Sequence, residues 1–454
     1  MNTAPTQPLH RGFGRAGANV RRPDRRLPET VDPNRSLQPH GPNGPIGEIC
    51  RYWLNPEGGD VRDRAEITIV GAGPAGLTCA IGLALAGKKV VVREWHGDVG
   101  HRFHDDLQGL ENWTDPVDVL DELAAIGIAA RFDHHGVSEG VVFDGQAKPH
   151  RVRGKRPLFY LLRRGNAIGS LDRALLDQAV KAGVEVRFND RVTETAGDMI
   201  LAAGPRRADI IAAGRVFDTD MEDGAWLAIG SELAPKGYAY LLTHNGRGTV
   251  ASCMFSGFRD QASHVAATLA FFERHAGLRM QNPRPFGGFG NIRLPRTAMQ
   301  GECPVVGEHA GFQDALAGFG LRYAVRSGRL AAESLINSTS YTDAWRRALQ
   351  PGLRTGVVNR FLFNAAGQSG LDWLIERLAR NEAGDTLAQA YRPSLPKRVL
   401  FPLAHHRFRA PLTDPSCNHK NCDCVWCEHG DHSAAIAGAE KLGRLSRRGS
   451  ASAL

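Results

Sequence analysis

The 454-residue sequence has no apolar run near the roughly 20 residues that a bilayer-crossing helix needs. Its N-terminus lacks the apolar core of a secretory signal. No acid precedes Asp24 and arginines are frequent there, the composition of an organellar transit peptide. The prolines in that stretch argue against the amphipathic helix such peptides form. Internal repeats are absent, and so is a second GxGxxG turn for a separate nicotinamide nucleotide. The expectation is a soluble, cytoplasmic chain. A content of 42% hydrophobic and 23% charged residues is ordinary for a globular protein, and the length suffices for two or three domains.

The formal charge of +8 belongs to the ends. Residues 1–46 hold seven arginines and three acids, and residues 435–454 hold four cations and one acid. The body between them is nearly neutral, so there is no strong sign of nucleic-acid binding. The tails read as solvated disorder able to touch acidic lipid or RNA weakly.

Residues 1–62 are rich in Pro, Gly, Arg and Asn and read as a disordered basic arm. From Glu66 the pattern changes. ITIV, GAGPAG, LTCAIGLALAG and KKVVVRE follow one another as strand, tight turn, helix and strand, one βαβ unit. Further helices are expected at 116–126, 170–182, 263–276 and 319–337, with a helix-rich stretch over 342–390. VEVRFN and 199–203 read as strands. Residues 237–255 read as a hairpin turning at Asn245-Gly246. The proline-rich RPSLPKRVLFP closes the body.

The glycines of the first turn each have a physical task. Gly71 allows the turn off the strand, Gly73 lets a pyrophosphate approach the backbone, and Gly76 lets the helix pack closely. The helix opening at Pro74-Ala75 points free N–H groups and a positive dipole end at the phosphates. Glu94 ends the second strand, where a carboxylate accepts hydrogen bonds from ribose hydroxyls and repels a 2′-phosphate. That favours FAD or NAD over NADP.

Residues 303–335, CPVVGEHAGFQDALAGFGLRYAVRSGRLAAESL, resemble the second flavin-contact motif of the geranylgeranyl-reductase-like branch of the large flavoprotein superfamily that also holds the aromatic hydroxylases. The resemblance covers about residues 65–380. Gly307, Gly311, Gly318 and Gly320 match its glycines, and Arg322, Ala324, Ser327, Gly328, Ala331 and Ala332 fit its helix. Glu308 stands where the family has a ribityl-binding aspartate, and Ala315 replaces a common proline. Arg164-Gly165 resembles the family's arginine beside the cofactor, and 201–205 its turn near the adenosine. Arg102, in the loop after Glu94, is a candidate pyrophosphate or ribose contact, with a plain surface arginine as the alternative. His101, His104, Asp105 and Asp106 share that loop and read as flavin-proximal rather than as metal ligands.

The resemblance implies FAD as cofactor and an α/β fold. That fold is a Rossmann-like FAD/NAD(P)-binding domain with a β-rich substrate domain and a C-terminal helical segment. The expected division assigns 63–338 to the FAD-binding domain, assembled from 63–100, 165–215 and 300–338. The substrate domain, 101–164 and 216–299, is inserted in it, and the helical segment is 339–410. A Cys-rich stretch occupies 411–434 and a basic tail 435–454. The implied activity is an FAD-dependent reductase or dehydrogenase acting by hydride transfer through flavin N5 on an apolar, isoprenoid-like substrate. Phe159, Tyr160, Tyr238, Tyr240, Phe255 and Phe258 are candidate pocket walls or, more simply, sheet core. NAD(P)H as a transient reductant or an electron-donor protein would supply electrons. No side chain is identified as the catalytic acid or base. A flavin monooxygenase and a non-catalytic flavoprotein binding module remain alternatives, as does a degenerate flavoprotein that no longer holds the ring.

Of the eight cysteines, Cys417, Cys422, Cys424 and Cys427 fall within eleven residues, interleaved with His419 and followed by His429. Four soft ligands this close suit tetrahedral zinc or an iron–sulfur cluster. The spacing matches neither a plant-type ferredoxin nor a paired zinc ribbon. Free thiols are the plainer alternative.

Overall fold

The computed structural model describes residues 66–194 and 199–409 together with Val425. The basic arm, the basic tail and the six candidate metal ligands Cys417, His419, Cys422, Cys424, Cys427 and His429 lie outside the described residues.

The first half of the chain runs β1 (Ile67–Val70), α1 (Pro74–Leu85), β2 (Val90–Arg93), β3 (Leu107–Glu111), α2 (Val119–Ala125), β4 (His134–Val137), β5 (Glu139–Phe143), β6 (Pro149–Arg153), β7 (Phe159–Arg163), α3 (Leu171–Lys181), β8 (Glu185–Arg187) and β9 (Met199–Leu201). There follow β10 (Ile210–Asp218), β11 (Gly224–Ala228), β12 (Tyr238–His244), β13 (Arg247–Met254), α4 (Gln261–Ala276), β14 (Gln281–Gly290), α5 (Leu321–Ile336), α6 (Tyr341–Ala348), α7 (Gln350–Arg380), α8 (Ala383–Tyr391) and α9 (Leu395–Arg409).

Four strands form a parallel sheet in the order β8-β2-β1-β9, and Val305 continues it through a parallel bridge to Leu201. This is the doubly wound arrangement, in which ligands gather at the carboxyl ends of the strands. The helix α1 is apolar all round and buried from Ala75 to Leu83. Such a helix needs cover on every side, which the sheet, α3 and α5 provide. A Cβ on Gly328 of α5 would collide with the Ala75 carbonyl, so only a bare backbone permits this approach.

The other large element is a seven-stranded sheet in the order β14-β10-β13-β12-β11-β5-β6. Its pairs are antiparallel except β11 with β5. The hairpin β12–β13 turns at Asn245-Gly246, both at positive φ (49° and 73°), as a tight two-residue hairpin requires. Helix α4 packs on this sheet through Val265 and Phe272. A separate three-stranded sheet β3-β7-β4 packs against it, with Leu107, Val137 and Leu161 clustered on Leu242. Strand β10 belongs to the large sheet, so the segment expected to extend to residue 215 leaves the nucleotide-binding domain before Ile210.

Helix α9 falls within the expected helical segment 339–410, and RPSLPKRVLFP, expected to close the body, supplies its first half. Pro396 falls in its first turn, where a missing N–H costs nothing, and Pro402 is accommodated inside it. The expected helix-rich stretch over 342–390 becomes α6, α7 and α8, with α7 broken at Gly367, whose φ is 62°. Gly328→Val is expected to lower the free energy of unfolding by about 3 kcal/mol through overpacking, as measured by urea titration.

Candidate functional site

The turn between β1 and α1 tests the three-glycine reading one residue at a time. Gly71, at φ 109°, lies so close to the end of β9 that a Cβ would come within 2.5 Å of the Ala202 carbonyl oxygen. A Cβ on Gly76 would strike the Gly71 carbonyl. Gly73 is different: a Cβ there meets nothing within 4 Å. It caps α1 with ordinary extended geometry (φ −83°), no side chain caps the helix, and Pro74 follows. The space above Gly73 therefore faces backbone N–H groups at a positive helix end, an arrangement that binds a phosphate-sized anion.

Glu94 reaches back to this turn. Its Oε2 accepts from the Ala72 N–H (2.8 Å) and its Oε1 from the His96 N–H (3.0 Å). The carboxylate is thus fixed beside the glycines, as a ribose contact requires.

The second glycine segment arrives at the same place. Gly307 follows the Val305 bridge at φ 61°, and a Cβ on it would sit 2.7 Å from the Ala75 side chain. Its N–H donates to Ser327 Oγ (2.9 Å), tying the segment to α5. Gly311 lies against the Arg293 carbonyl, and Gly318 against Ile210 at 3.3 Å. Gly320 caps α5 without a side-chain partner, so a second helix begins with open N–H groups at this segment. Gln313, inside it, donates Nε2 to the Gly318 carbonyl (2.7 Å), while its buried Oε1 has no partner among the described residues.

Two expected contacts are engaged with protein. Arg102 pairs with Glu308 at 2.5 Å and lies over the rings of Phe103 and Phe289. Both expected ligand groups thus meet, and each neutralises the other. Arg164 is buried and forms a two-pronged ion pair with Asp172 at 2.8 and 2.9 Å, with Gln108 as third partner (3.1 Å). Its role is to fasten β7 to α3. In the loop after Glu94, His101 stacks on His96, while Asp105 pairs with Arg163 and Arg247. Among the described residues no cluster of metal-ligating side chains forms there or elsewhere.

Two of the six aromatic candidates are buried, and Phe159, Tyr160, Tyr238 and Tyr240 are half-buried. Phe255 and Phe258 are buried in apolar clusters, Tyr160 donates to Asp118 (3.0 Å), and Tyr238 donates to the Ala317 carbonyl (2.5 Å).

Sequence reasoning missed what holds the loop. Asp314 accepts from the Ala317 N–H (2.6 Å) and from the Tyr391 hydroxyl (3.0 Å) of α8. The buried Arg360 of α7 donates to the carbonyls of Ala315 (2.9 Å), Leu316 and Lys236 (2.6 Å). No spacing announces partners 44 to 124 positions apart. His309 was also missed. Arg206 donates Nε–H to its Nε2 (2.8 Å), which makes that nitrogen the acceptor and places the ring proton on Nδ1. Burial, with the Arg206 charge, pushes the imidazole down to about 3.

Fold and turn geometry together have the form of a Rossmann-type nucleotide-binding domain. Residues 64–203 match the FAD binding domain family, and the chain is similar in fold to solved flavoproteins. A geranylgeranyl bacteriochlorophyll reductase-like protein from Thermoplasma acidophilum superposes with a TM-score of 0.54 at 17% identity, over 76% of this chain and all of that one. A flavoprotein/dehydrogenase from Cytophaga hutchinsonii gives 0.52 at 15% identity, over 84% and 100%. A flavin-dependent brominase gives 0.52 at 13% identity, over 76% and 100%. No curated protein matches the sequence.

Gly73→Val is expected to leave the fold intact and weaken FAD binding by about a hundredfold, since a blocked pyrophosphate loses several charge-assisted hydrogen bonds. Gly76→Val is expected to lose the fold itself. Flavin titration and circular dichroism separate the two. His309 gives a pH signature. The unfolded imidazole titrates near 6.5 and the folded one stays neutral to about 3, so acid protonates the unfolded chain first. Stability then declines as pH falls through that window, by at most about 1.4 kcal/mol per pH unit. His309→Gln should flatten that part of the slope in denaturant titrations at about pH 7 and about pH 5.

Proposed function

We propose that the chain is an FAD-dependent oxidoreductase, a reductase or dehydrogenase acting on an apolar, isoprenoid-like substrate. The observation that carries this is the meeting of Gly307 with Ala75, which brings the second glycine-bearing segment to the first turn of α1. The N–H groups at the start of α1 would hold the pyrophosphate over Gly73, and Glu94 would accept hydrogen bonds from the adenosine ribose hydroxyls. The positive N-terminal end of α5 would favour negative charge on the flavin. The Arg102–Glu308 pair stands at the edge of this site and orients rather than reacts. Bound FAD supplies hydride transfer, and the protein supplies position and polarity.

The reductase-like neighbour supports an apolar substrate class. A donor protein or transient NAD(P)H would reduce the cofactor. We place the protein in the cytoplasm. No described helix is long and apolar enough to cross a membrane. Val425, flanked in sequence by Cys424 and Trp426, is buried against Gly287 and donates its N–H to Gln261 (3.1 Å). We propose that the neighbouring cysteines hold zinc or an iron–sulfur cluster.

An absorbance spectrum of the purified protein with metal analysis, before and after anaerobic dithionite, tests both statements. Flavin bands that bleach on reduction are expected, with about one zinc or a reducible cluster per chain. A colourless protein that binds no added FAD would overturn the oxidoreductase reading. Substrate-coupled oxygen uptake would turn it into a monooxygenase.

A further inference from the structure

Helix α9 buries one side and leaves the other bare. Ala404 is fully buried, and Leu400 and Phe401 pack with Phe361, Val357 and Val358 of α7. The opposite side carries Leu395, Val399 and Leu403, spaced by four residues as one stripe requires. They are 71%, 74% and 50% exposed. Pro396 and Pro402 are exposed beside them. Leu362, next to Phe361 on α7, adds a further 45% exposed side chain at this helix pair. Scattered exposed leucines need no explanation, but a stripe at helical spacing on one helix does.

The charges around the stripe are of one sign. No carboxylate occurs between Asp385 and the end of α9 at Arg409. The same span holds Arg392, Lys397, Arg398, Arg407 and Arg409. Arg398, His406 and Arg407 are exposed, and Arg354 of α7, also exposed, lies over the Phe401 ring at 5.0 Å. An apolar stripe flanked by cations, on a helix too polar to cross a bilayer, is the composition of a helix lying in the plane of a membrane surface. Apolar side chains enter the acyl boundary while the cations meet lipid phosphates. A protein partner would have to desolvate those cations at the rim of an apolar contact.

We propose that the exposed stripe of α9 is a docking face for an anionic lipid surface. The contact would bring an enzyme of apolar substrates to where such substrates dissolve, although the docking itself does not require the flavin reading. The full-length protein is expected to co-sediment with phosphatidylcholine/phosphatidylglycerol vesicles and much less with phosphatidylcholine alone. Val399→Ser with Leu403→Ser keeps every charge, touches only exposed positions, and should cut partitioning by about tenfold for each side chain removed. Arg398→Gln with Arg407→Gln should remove most of the preference for anionic lipid. Unchanged melting temperature and FAD content serve as the folding control.

Three results would overturn the idea. One is no vesicle binding by the parent chain. Another is binding that the serine pair leaves intact, which would assign it to the basic tails. The third is a concentration-dependent dimer in sedimentation velocity that the serine pair abolishes, which would make this face a contact between two copies.

Discussion

The approach of α1 to the 303–328 segment is the constraint on which everything else rests. Two glycines make it possible. Gly307 meets the Ala75 side chain and Gly328 meets the Ala75 carbonyl, so the first turn of one helix lies in a groove cut by missing side chains. Ser327 closes the contact by accepting the Gly307 N–H. Without this approach there would be two glycine turns and no common site. With it, both glycine segments reach the first turn of α1, while α5 itself begins at Gly320, about two turns before its contact at Gly328, so the two positive helix ends would serve different parts of one nucleotide.

The polar groups around the site divide into those that face a ligand and those that brace the walls. Glu94 and the open backbone above Gly73 belong to the first set. Arg164 with Asp172 belongs to the second, because a buried bidentate pair has little freedom to turn toward a ligand. Removing either partner would strand the other charge in the core, typically at a cost of about 3–5 kcal/mol. Arg102 with Glu308 stands between the sets, at the edge of the site and half-exposed. The C-terminal helices brace as well. Arg360 and Tyr391 grip the loop that carries Gly318 and Gly320 from behind, so this segment forms the back wall of the site.

The same helical segment presents an opposite character outward. Its inner side is tied to the loop by hydrogen bonds of named geometry, and its outer side shows leucine, valine and proline among cations. The two roles are compatible because a helix can bury one stripe while exposing another.

Local signals in the sequence were enough to determine the βαβ unit, the Asn245-Gly246 hairpin and the cap of α3, where Ser170 Oγ accepts from the Arg173 N–H. Each depends on residues within about twenty positions, where periodicity, caps and turn chemistry act directly. The two glycine segments were also legible, since close backbone approach leaves glycines behind. Tertiary structure alone decided which charges meet. Arg102 finds Glu308 206 positions away, Arg206 finds His309 103 positions away, and Tyr391 finds Asp314 77 positions away. A side chain's partner is set by where the sheets carry it, and no local pattern encodes that distance. The same reason explains α9. Its prolines read locally as an end, but packing of Leu400, Phe401 and Ala404 on α7 stabilises a helix that propensity alone would not.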